Sequence, residues 1–220
     1  MRTVIFDLDG TLADTSGDLI AAANACFRGL GHGDLLDAAA DQLTAFHGGR
    51  AMLRLGFQRL GISDEAQVDS QFPLFLDAYA ENIDVLTTLY PGAIDAVQNL
   101  RSAGYAVGIC TNKPAALAET LMARLGVRAL FGSLIGADTL PTRKPDPAPY
   151  VAAVQRAGGE VSRSLLVGDT ATDRETARAA GVPSVLVTFG PDGQGVADLQ
   201  PDALLGDYDA LAGVVTRLIG

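Results

Sequence analysis

The chain of 220 residues contains no tryptophan, only two cysteines, and few aromatic residues, which make up 6% of it. Its core must therefore be built mainly from Ala, Val, Leu and Ile, and a hydrophobic fraction of 48% excludes a disordered chain. The two cysteines, Cys26 and Cys110, stand in no metal-ligand or Cys-x-x-Cys spacing. We therefore expect two reduced thiols in the core of a cytoplasmic protein.

Runs of basic residues and long apolar stretches are also missing. The net charge is −10, so no surface for nucleic acid is expected. The longest charge-free run, residues 179–191, is short and interrupted by Gly and Pro, so no membrane span is expected. The early Asp7 argues against a signal peptide. In so acidic a chain, a site for an anionic substrate would need a local cation, either basic side chains or a bound metal.

Strand and helix patterns alternate over most of the sequence. Short runs of β-branched and apolar residues predict buried strands over residues 3–6, 105–110, 133–136, 165–167 and 184–188. Helical patterns follow over residues 93–103, 114–125, 148–157, 171–180 and 208–219. This alternation predicts an α/β fold, a Rossmann-like parallel sheet with helices on both faces.

Residues 15–86 interrupt that alternation with a purely helical pattern. Apolar residues recur at helical spacing from Leu19 to Leu30, and further helices are predicted over residues 35–46, 50–60 and from Ser63 onward. No convincing strand pattern occurs in this stretch. The insertion is therefore expected to form a separate helical domain.

The sequence thus predicts two parts, an α/β catalytic core of residues 1–14 and 87–220 and an all-helical cap of residues 15–86. Ligands of open α/β sheets bind beyond the carboxyl ends of the strands. Because the insertion comes just after the first strand, we expect the cap to act as a lid. Hinges are expected near Asp14 and Thr87.

Four short polar segments follow strand ends and carry the chemistry. They are Asp7-Leu8-Asp9-Gly10-Thr11, Thr111-Asn112, Arg143-Lys144-Pro145-Asp146-Pro147 and Gly168-Asp169-Thr170-Ala171-Thr172-Asp173. The carboxyl ends of parallel strands share one edge of a sheet. The four segments are therefore candidates for a single site.

Paired carboxylates are the main chemical signal in these segments. Asp7 and Asp9 lie two residues apart on a turn, and Asp169 and Asp173 lie four apart, on one side of a helix. A single Asp after a strand is often only a helix cap. Two carboxylates this close repel each other unless a cation lies between them, and hard oxygen ligands suit Mg²⁺.

The other two segments are weaker when each is taken alone. Thr111 and Asn112 offer a hydroxyl and amides that could hold a phosphate oxygen, but such residues also cap helices. Lys144 precedes Pro145, which restricts the backbone before a helix. It is either a site cation or an ordinary surface charge.

With these four segments in this order, the chain resembles the haloacid dehalogenase superfamily of phosphatases, within it the phosphoglycolate phosphatase-like branch with a helical cap. The resemblance implies that Asp7 attacks phosphorus and forms an aspartyl-phosphate. It implies that Asp9 protonates the leaving oxygen and then activates water. A halide leaves without a proton, so Asp9 favours phosphoryl chemistry over dehalogenation.

The resemblance also assigns roles to the remaining segments. It implies that Thr111 and Asn112 hold phosphoryl oxygens and that Lys144 neutralises charge around the nucleophile and the phosphate. It implies one Mg²⁺ ion as cofactor. Its ligands would be Asp7, the backbone carbonyl of Asp9, Asp169 and, directly or through water, Asp173.

Particular residues weaken the alternatives within and outside this superfamily. Related sugar phosphate mutases carry a His where this chain has Leu19. Phosphonate-cleaving relatives use a cap lysine, and residues 15–86 contain none. Receiver domains, which sense phosphate rather than hydrolyse esters, lack both the inserted cap and the Asp9 acid.

The predicted function is hydrolysis of a phosphomonoester of a small anionic metabolite, with 2-phosphoglycolate as the expected substrate. The cap segment His47-Gly48-Gly49-Arg50 motivates this choice, because two glycines allow a sharp break and Arg offers a planar fork for a carboxylate or a second phosphate. A plain surface Arg is the alternative. A sugar phosphate, a nucleotide or pyrophosphate stays open as substrate, and both monomer and homodimer stay open as assembly.

Overall fold

The computed structural model describes all residues from Met1 to Gly220, and the chain divides into two compact units. Unit 1 comprises Met1–Ala13 and Leu89–Gly220, and unit 2 comprises Asp14–Thr88. None of the helices combines the length and the apolar composition that crossing a bilayer requires.

Eight strands and nine α-helices follow one another along the chain. In chain order they are β1 (Thr3–Phe6), β2 (Ala13–Asp14), α1 (Ser16–Gly29), α2 (Gln42–Phe46), α3 (Gly49–Arg59), α4 (Glu65–Glu81), β3 (Thr88–Leu89), α5 (Ala93–Ser102), β4 (Ala106–Cys110), α6 (Ala115–Arg124), β5 (Ser133–Ile135), α7 (Pro147–Arg156), β6 (Ser164–Gly168), α8 (Ala171–Ala180), β7 (Ser184–Val187), β8 (Ala203–Leu205) and α9 (Leu211–Ile219). Short 3-10 helices occupy Arg128–Leu130, Val161–Arg163, Gly193–Leu199 and Tyr208–Ala210. The strands β2 and β3 pair with each other as a small two-stranded sheet.

Unit 1 contains a six-stranded parallel sheet in the order β5-β4-β1-β6-β7-β8. Central strand β1 pairs on both sides, with Phe6 opposite Ile109 of β4 and Val167 of β6. The chain builds β4 and β5 on one side of β1 and then crosses to build β6, β7 and β8 on the other. Such a switch point leaves a crevice at the carboxyl ends of the central strands.

Helices cover both faces of this sheet because its strands are apolar on both faces. Successive side chains of a strand point to opposite faces. Ile5, Cys110 and Leu166 pack in one buried cluster with Tyr150 of α7 and Ala177 of α8. The alternate residues of β4 and β6 face the other way, where α5 and α9 contact the sheet. The predicted α/β fold class is confirmed.

Unit 2 consists of α1 to α4 around its own aromatic core. The ring of Phe27 on α1 meets that of Phe57 on α3 edge to face, with centroids 5.3 Å apart. An added Cβ at Gly56 would lie only 2.2 Å from the Phe27 ring, so glycine permits the close approach of α1 and α3. On α4, Phe75 and Tyr79 are fully buried and stacked on each other.

The predicted helix over residues 35–46 is wrong in its first half, because α2 covers only Gln42–Phe46. The Asp37 carboxylate accepts hydrogen bonds from the backbone N–H groups two and three residues further on, at 2.9 and 2.8 Å. The Asp41 carboxylate accepts from the Asp37 N–H at 2.7 Å. These side-chain bonds give the backbone an alternative to the helix.

Candidate active site

Backbone hydrogen bonds between strands place three polar side chains at one edge of the sheet. Asp7 directly follows β1, and its N–H donates to the Val167 carbonyl of β6 at 2.8 Å. Thr111 directly follows β4, and its N–H donates to the Ile135 carbonyl of β5 at 2.9 Å. Asp169 directly follows β6. The strands of the sheet therefore fix the backbone positions of these three residues.

The turn after β1 requires a glycine. The Leu8 carbonyl accepts from the N–H of Leu12 at 2.9 Å, and Gly10 has a φ of +79°, a conformation that residues with a side chain rarely adopt. The Thr11 hydroxyl at the end of the turn donates to Asp169 Oδ1 at 2.9 Å. The first and fourth polar segments are thus joined by a buried hydrogen bond.

Lys144 lies between two carboxylates. Its Nζ is 2.6 Å from Asp173 Oδ1 and 3.0 Å from Asp7 Oδ2, and its side chain is 1% exposed. Burial alone would lower the pKa of Lys144, but the charges of Asp173 and Asp7 outweigh it and raise that pKa above its usual value. The third polar segment therefore brings a permanent cation to the first and the fourth.

Burial raises the pKa of Asp7 to about 7, against the opposing charge of Lys144, and the charges of Asp173 and Asp9 add to the rise. Burial, followed by the charges of Asp173 and Asp7, also raises the pKa of Asp169. A single lysine therefore leaves part of the negative charge in this cluster uncompensated. A further cation beside Asp7 would favour its ionised form.

Asp7, Asp169 and Asp173 form a cluster that could hold a metal ion, with one oxygen of each within 4.8 Å of the others. Asp169 Oδ2 is buried and has no hydrogen-bond partner in the protein. A buried carboxylate oxygen without a donor is costly, and a metal ion would satisfy it. The donor set consists of hard carboxylate oxygens, so it fits a divalent cation such as Mg²⁺.

Asp173 is the most firmly fixed member of that cluster. Its Oδ2 accepts from the Thr170 hydroxyl at 2.8 Å and from the N–H groups of Asp169 and Thr170, both at 3.2 Å. An added Cβ at Gly168 would lie 2.3 Å from Asp173 Cγ, so glycine lets this carboxylate pack on the end of β6. Asp173 therefore holds Lys144 in place as well as adding charge.

Thr111 and Asn112 tie the second polar segment to its neighbours. The Asn112 side-chain amide donates to the Lys144 carbonyl at 3.0 Å. Thr111 is buried, and its Oγ1 accepts from the Lys113 N–H at 3.1 Å. Both residues therefore lie within the same network as the aspartates, as their positions at a strand end predicted.

Lys113 belongs to this network and was missed by the sequence analysis. Its Nζ lies 2.6 Å from Asp9 Oδ1, and its side chain is 3% exposed. Lys113 and Lys144 are the only lysines in the chain, and all its other basic residues, apart from two histidines, are arginines. Both lysines are buried beside site aspartates. Their scarcity, and the position of Lys113 directly after Asn112, were the signals that could have revealed it.

Arg50, the predicted substrate-binding residue of the cap segment, belongs to unit 2. It lies in the first turn of α3, where its guanidinium pairs with the Asp69 carboxylate. The guanidinium also stacks over the Phe72 ring, 4.4 Å from the centroid. Its side chain is nevertheless 43% exposed, so it can be reached from solvent.

The fold and the site together define an α/β enzyme with a carboxylate-lined site at the switch point of a parallel sheet. The family model for haloacid dehalogenase-like hydrolases matches residues 4–187. A phosphoglycolate phosphatase of Mesorhizobium japonicum is 40% identical over 211 residues, 94% of this chain and 92% of that protein. A phosphoglycolate phosphatase of Agrobacterium fabrum is 37% identical over 94% of this chain and 89% of that protein. The chain belongs to the haloacid dehalogenase-like hydrolase family, as the four polar segments indicated.

Solved structures share the fold at lower sequence identity. The crystal structure of a predicted phosphoglycolate phosphatase from Haemophilus somnus superposes with a TM-score of 0.83, covers 97% of both chains and is 24% identical. That of a predicted phosphatase from Clostridium acetobutylicum gives a TM-score of 0.81, covers 99% of both chains and is 19% identical. At these identities the likeness shows the fold alone.

Proposed function

We propose that this protein is a magnesium-dependent phosphatase that hydrolyses a phosphomonoester through an aspartyl-phosphate on Asp7. The observation that carries the proposal is the position of Asp7, at the end of the central strand, 3.0 Å from the buried ammonium of Lys144. Its place beside Asp169 and Asp173 adds a possible metal site. The phosphoglycolate phosphatases among its relatives support the same activity.

The reaction proceeds in two steps on this site. A carboxylate oxygen of Asp7 attacks phosphorus, the bond from phosphorus to the leaving oxygen breaks, and Asp9 gives its proton to that oxygen. Water then attacks the phosphorus of the aspartyl-phosphate while Asp9 accepts a proton from it. The bond from phosphorus to Asp7 breaks, inorganic phosphate leaves, and both aspartates return to their starting states.

Local positive charge is what allows a carboxylate to approach a phosphate ester, because the two anions repel each other. Lys144 supplies one such charge beside Asp7. Thr111 and Asn112, which follow the neighbouring strand β4, are proposed to donate hydrogen bonds to phosphoryl oxygens. These contacts would orient the phosphorus toward the nucleophile and hold the charge that develops on its oxygens.

Magnesium is the proposed cofactor. When bound, it would neutralise charge on the phosphoryl group and on the nucleophile, and it would give Asp169 Oδ2 the partner that this buried atom lacks. The proposed ligands are Asp7, the backbone carbonyl of Asp9, Asp169 and Asp173, the last directly or through a water molecule.

The proposed substrate is 2-phosphoglycolate. Relatives that are 40% and 37% identical are phosphoglycolate phosphatases, and Arg50 offers an exposed guanidinium suited to the carboxylate of this substrate. We further propose residues 15–86 as a cap and residues 1–14 and 87–220 as the catalytic core. To bind a substrate carboxylate, the guanidinium of Arg50 must break its ion pair with Asp69 and form one with the substrate.

A panel of phosphoesters tests this proposal. With Mg²⁺, the purified protein should release inorganic phosphate, with a higher kcat/KM for 2-phosphoglycolate than for sugar phosphates, nucleotides or pyrophosphate. Asp7→Asn should lose turnover almost completely. Absence of phosphate release from every ester would overturn the proposed activity, and full turnover by Asp7→Asn would remove Asp7 as the nucleophile.

The role of Arg50 is tested by a matched pair of variants. Arg54 also lies on α3, is 45% exposed and pairs with Glu65, so Arg54→Ala removes a similar ion pair from the same helix. Arg50→Ala should lower kcat/KM for 2-phosphoglycolate selectively, whereas Arg54→Ala should not. Equal effects of the two variants would show that Arg50 does not contact the substrate.

A further inference from the structure

We propose that Lys113 is a positioning residue that holds the Asp9 carboxylate in the orientation needed for proton transfer to the leaving oxygen. The inference rests on the proposed phosphatase function and deepens it. It assigns each of the two lysines to one of the two reacting aspartates: Lys144 to Asp7, and Lys113 to Asp9.

The contact between Lys113 and Asp9 is short, and the two side chains differ in their exposure to solvent. Lys113 Nζ donates to Asp9 Oδ1 at 2.6 Å, a charge-assisted hydrogen bond. The side chain of Lys113 is 3% exposed and that of Asp9 is 20% exposed. The ammonium thus contacts one oxygen of a carboxylate that is itself only partly exposed to solvent. A proton donor must be reachable from outside and still fixed in direction, and this contact meets both needs.

The backbone of Lys113 is itself held on two sides. Its N–H donates to Thr111 Oγ1 at 3.1 Å, and its carbonyl accepts from the Ala137 N–H at 2.9 Å. An added Cβ at Gly136 would lie 2.8 Å from that carbonyl oxygen, so a glycine is needed for this approach. A lysine side chain has many rotamers, and a fixed backbone with a buried stem removes most of that freedom.

The choice of lysine at this position stands out within the chain. Lys144 makes the other lysine ion pairs, with Asp7 and Asp173 of the same site, whereas side-chain ion pairs away from the site use arginine, for example Arg54 with Glu65 and Arg128 with Glu119. The lysine ammonium is a compact point charge that can donate to one carboxylate oxygen. The planar guanidinium of arginine tends to donate to both oxygens of a carboxylate. The contact of Lys113 with Asp9 Oδ1 therefore fixes the direction of this carboxylate through one of its oxygens.

The chemistry of the leaving group gives a readout specific to Asp9. An alkyl phosphate ester needs a proton on its leaving oxygen, whereas p-nitrophenolate leaves readily as an anion. A residue that acts through Asp9 should therefore matter for alkyl esters and hardly at all for p-nitrophenyl phosphate. A residue that contacts the phosphoryl group should matter equally for both substrates.

The test compares wild type with Lys113→Met on p-nitrophenyl phosphate and on the alkyl phosphate ester that wild type hydrolyses best. The measured quantity is kcat/KM, which reports the steps up to departure of the leaving group. Lys113→Met should lose about 100-fold on the alkyl ester, the scale of general acid catalysis, and less than about threefold on p-nitrophenyl phosphate. Equal losses on both substrates, or no loss on the alkyl ester, would overturn the inference.

A double-mutant cycle separates action through Asp9 from action on the substrate. If Lys113 acts through Asp9, adding Lys113→Met to Asp9→Asn should change kcat/KM for the alkyl ester by less than about twofold. If instead the losses of kcat/KM in the two single variants multiply in the double variant, Lys113 acts independently of Asp9, as a contact to the phosphoryl group would. Arg128→Met is the control, because Arg128 follows the C-terminal end of α6, its half-buried cation pairs with Glu119 of that helix, and its loss should leave the ratio between substrates unchanged.

A spectroscopic measurement tests the contact without turnover. Because the chain has two lysines, protein labelled with ¹⁵N-lysine should give two side-chain amine signals, and either Lys144→Met or Lys113→Met alone assigns both of them. Asp9→Asn should strongly shift the Lys113 signal, and an unchanged signal would overturn the inference even if Lys113→Met fails to fold.

A wild type inactive on every ester would defeat the proposed function and this inference with it. An active wild type with an unchanged substrate ratio in Lys113→Met would defeat this inference alone.

Discussion

At the scale of single residues, the site is defined by a shortage of positive charge. Asp7, Asp9, Asp169 and Asp173 are largely buried around two lysines, so the four carboxylates exceed the cations even when both lysines are counted. Burial of unpaired charge is costly, and the raised pKa values of Asp7 and Asp169 express that cost. The arrangement favours any ligand that brings a cation.

Substitution of Gly168 should disturb this arrangement directly. In Gly168→Ala, the new methyl group would overlap Asp173, whose hydrogen bonds and contact with Lys144 must then shift. We expect a loss of about 1–3 kcal/mol in the free energy of unfolding together with a large loss of activity. Chemical denaturation and a phosphate-release assay measure the two effects.

The control for this variant is Gly213→Ala. Gly213 lies within α9 and has no atom near the position of an added Cβ. Alanine should therefore stabilise the helix by about 0.5–1 kcal/mol and leave activity unchanged. A Gly168→Ala variant as stable and active as wild type would show that Asp173 can be displaced without effect.

At the scale of elements, the sequence predicted what depends on local patterns. Each buried parallel strand is a continuous apolar run, which is why β1, β4, β5, β6 and β7 were found within a residue or two. The edge strand β8 was not predicted, and unlike the equally short β5 it exposes its middle residue, Leu204. Its pairing with β7 depends on contacts that no local pattern shows.

In the site, too, the sequence predicted the residues that form local patterns and not the contact between residues that are distant in sequence. The aspartate pairs were visible as short spacings at predicted strand ends, and the structure brings them together. Lys113 was not visible in this way, because its partner Asp9 is 104 residues away in sequence. The half-wrong helix over residues 35–46 failed for the opposite reason, since its aspartates compete with the helix through hydrogen bonds that apolar spacing does not reveal.

The element α1 contains a further buried aspartate, Asp18, which fixes the end of unit 2. Its carboxylate accepts from the N–H of Leu86 at 2.9 Å, and from the N–H and the hydroxyl of Thr87, both at 2.8 Å. Asp18→Ala would remove the acceptor of both backbone N–H groups, whereas the Thr87 hydroxyl would keep the Ile83 carbonyl, at 3.2 Å, as an acceptor. We expect a loss of about 2–3 kcal/mol in the free energy of unfolding and faster proteolytic cleavage near residues 82–88.

Asp77→Ala provides the comparison for Asp18→Ala, because Asp77 is an exposed aspartate on α4 of the same unit. It should change the free energy of unfolding by less than about 0.5 kcal/mol. If both variants were equally stable and equally resistant to protease, the Asp18 contacts would contribute nothing to holding the end of the unit.

At the scale of the whole molecule, the buried aspartates link stability to pH. The pKa of Asp7 is raised from 3.8 to about 7, and that of Asp169 is raised as well, so the metal-free folded protein holds protons that the unfolded chain releases near pH 4. This contribution to stability is fully present below about pH 4 and is lost as pH rises through 7. Each unit of pKa shift corresponds to about 1.4 kcal/mol.

Magnesium should reverse that loss, because a cation favours the ionised carboxylates. We expect the rise in Tm caused by Mg²⁺, relative to a chelator, to be larger at pH 8 than at pH 5.5. Thermal unfolding followed by circular dichroism measures it, and Asp169→Asn should reduce the difference between the two pH values. An equal Tm rise at both pH values would contradict the link between the ion and these carboxylates.

The burial of both lysines also makes the lysine side chains of the folded protein nearly inert toward amine-acylating reagents, whereas the α-amino group of Met1 is exposed. Both ε-amines are enclosed within unit 1, with side chains 3% and 1% exposed, so such reagents should modify these lysines only when the folded protein opens. The fraction of lysines acylated over time would then count opening events of the site, much as hydrogen exchange counts them for backbone amides. A tightly bound ligand should slow that acylation in proportion to its occupancy.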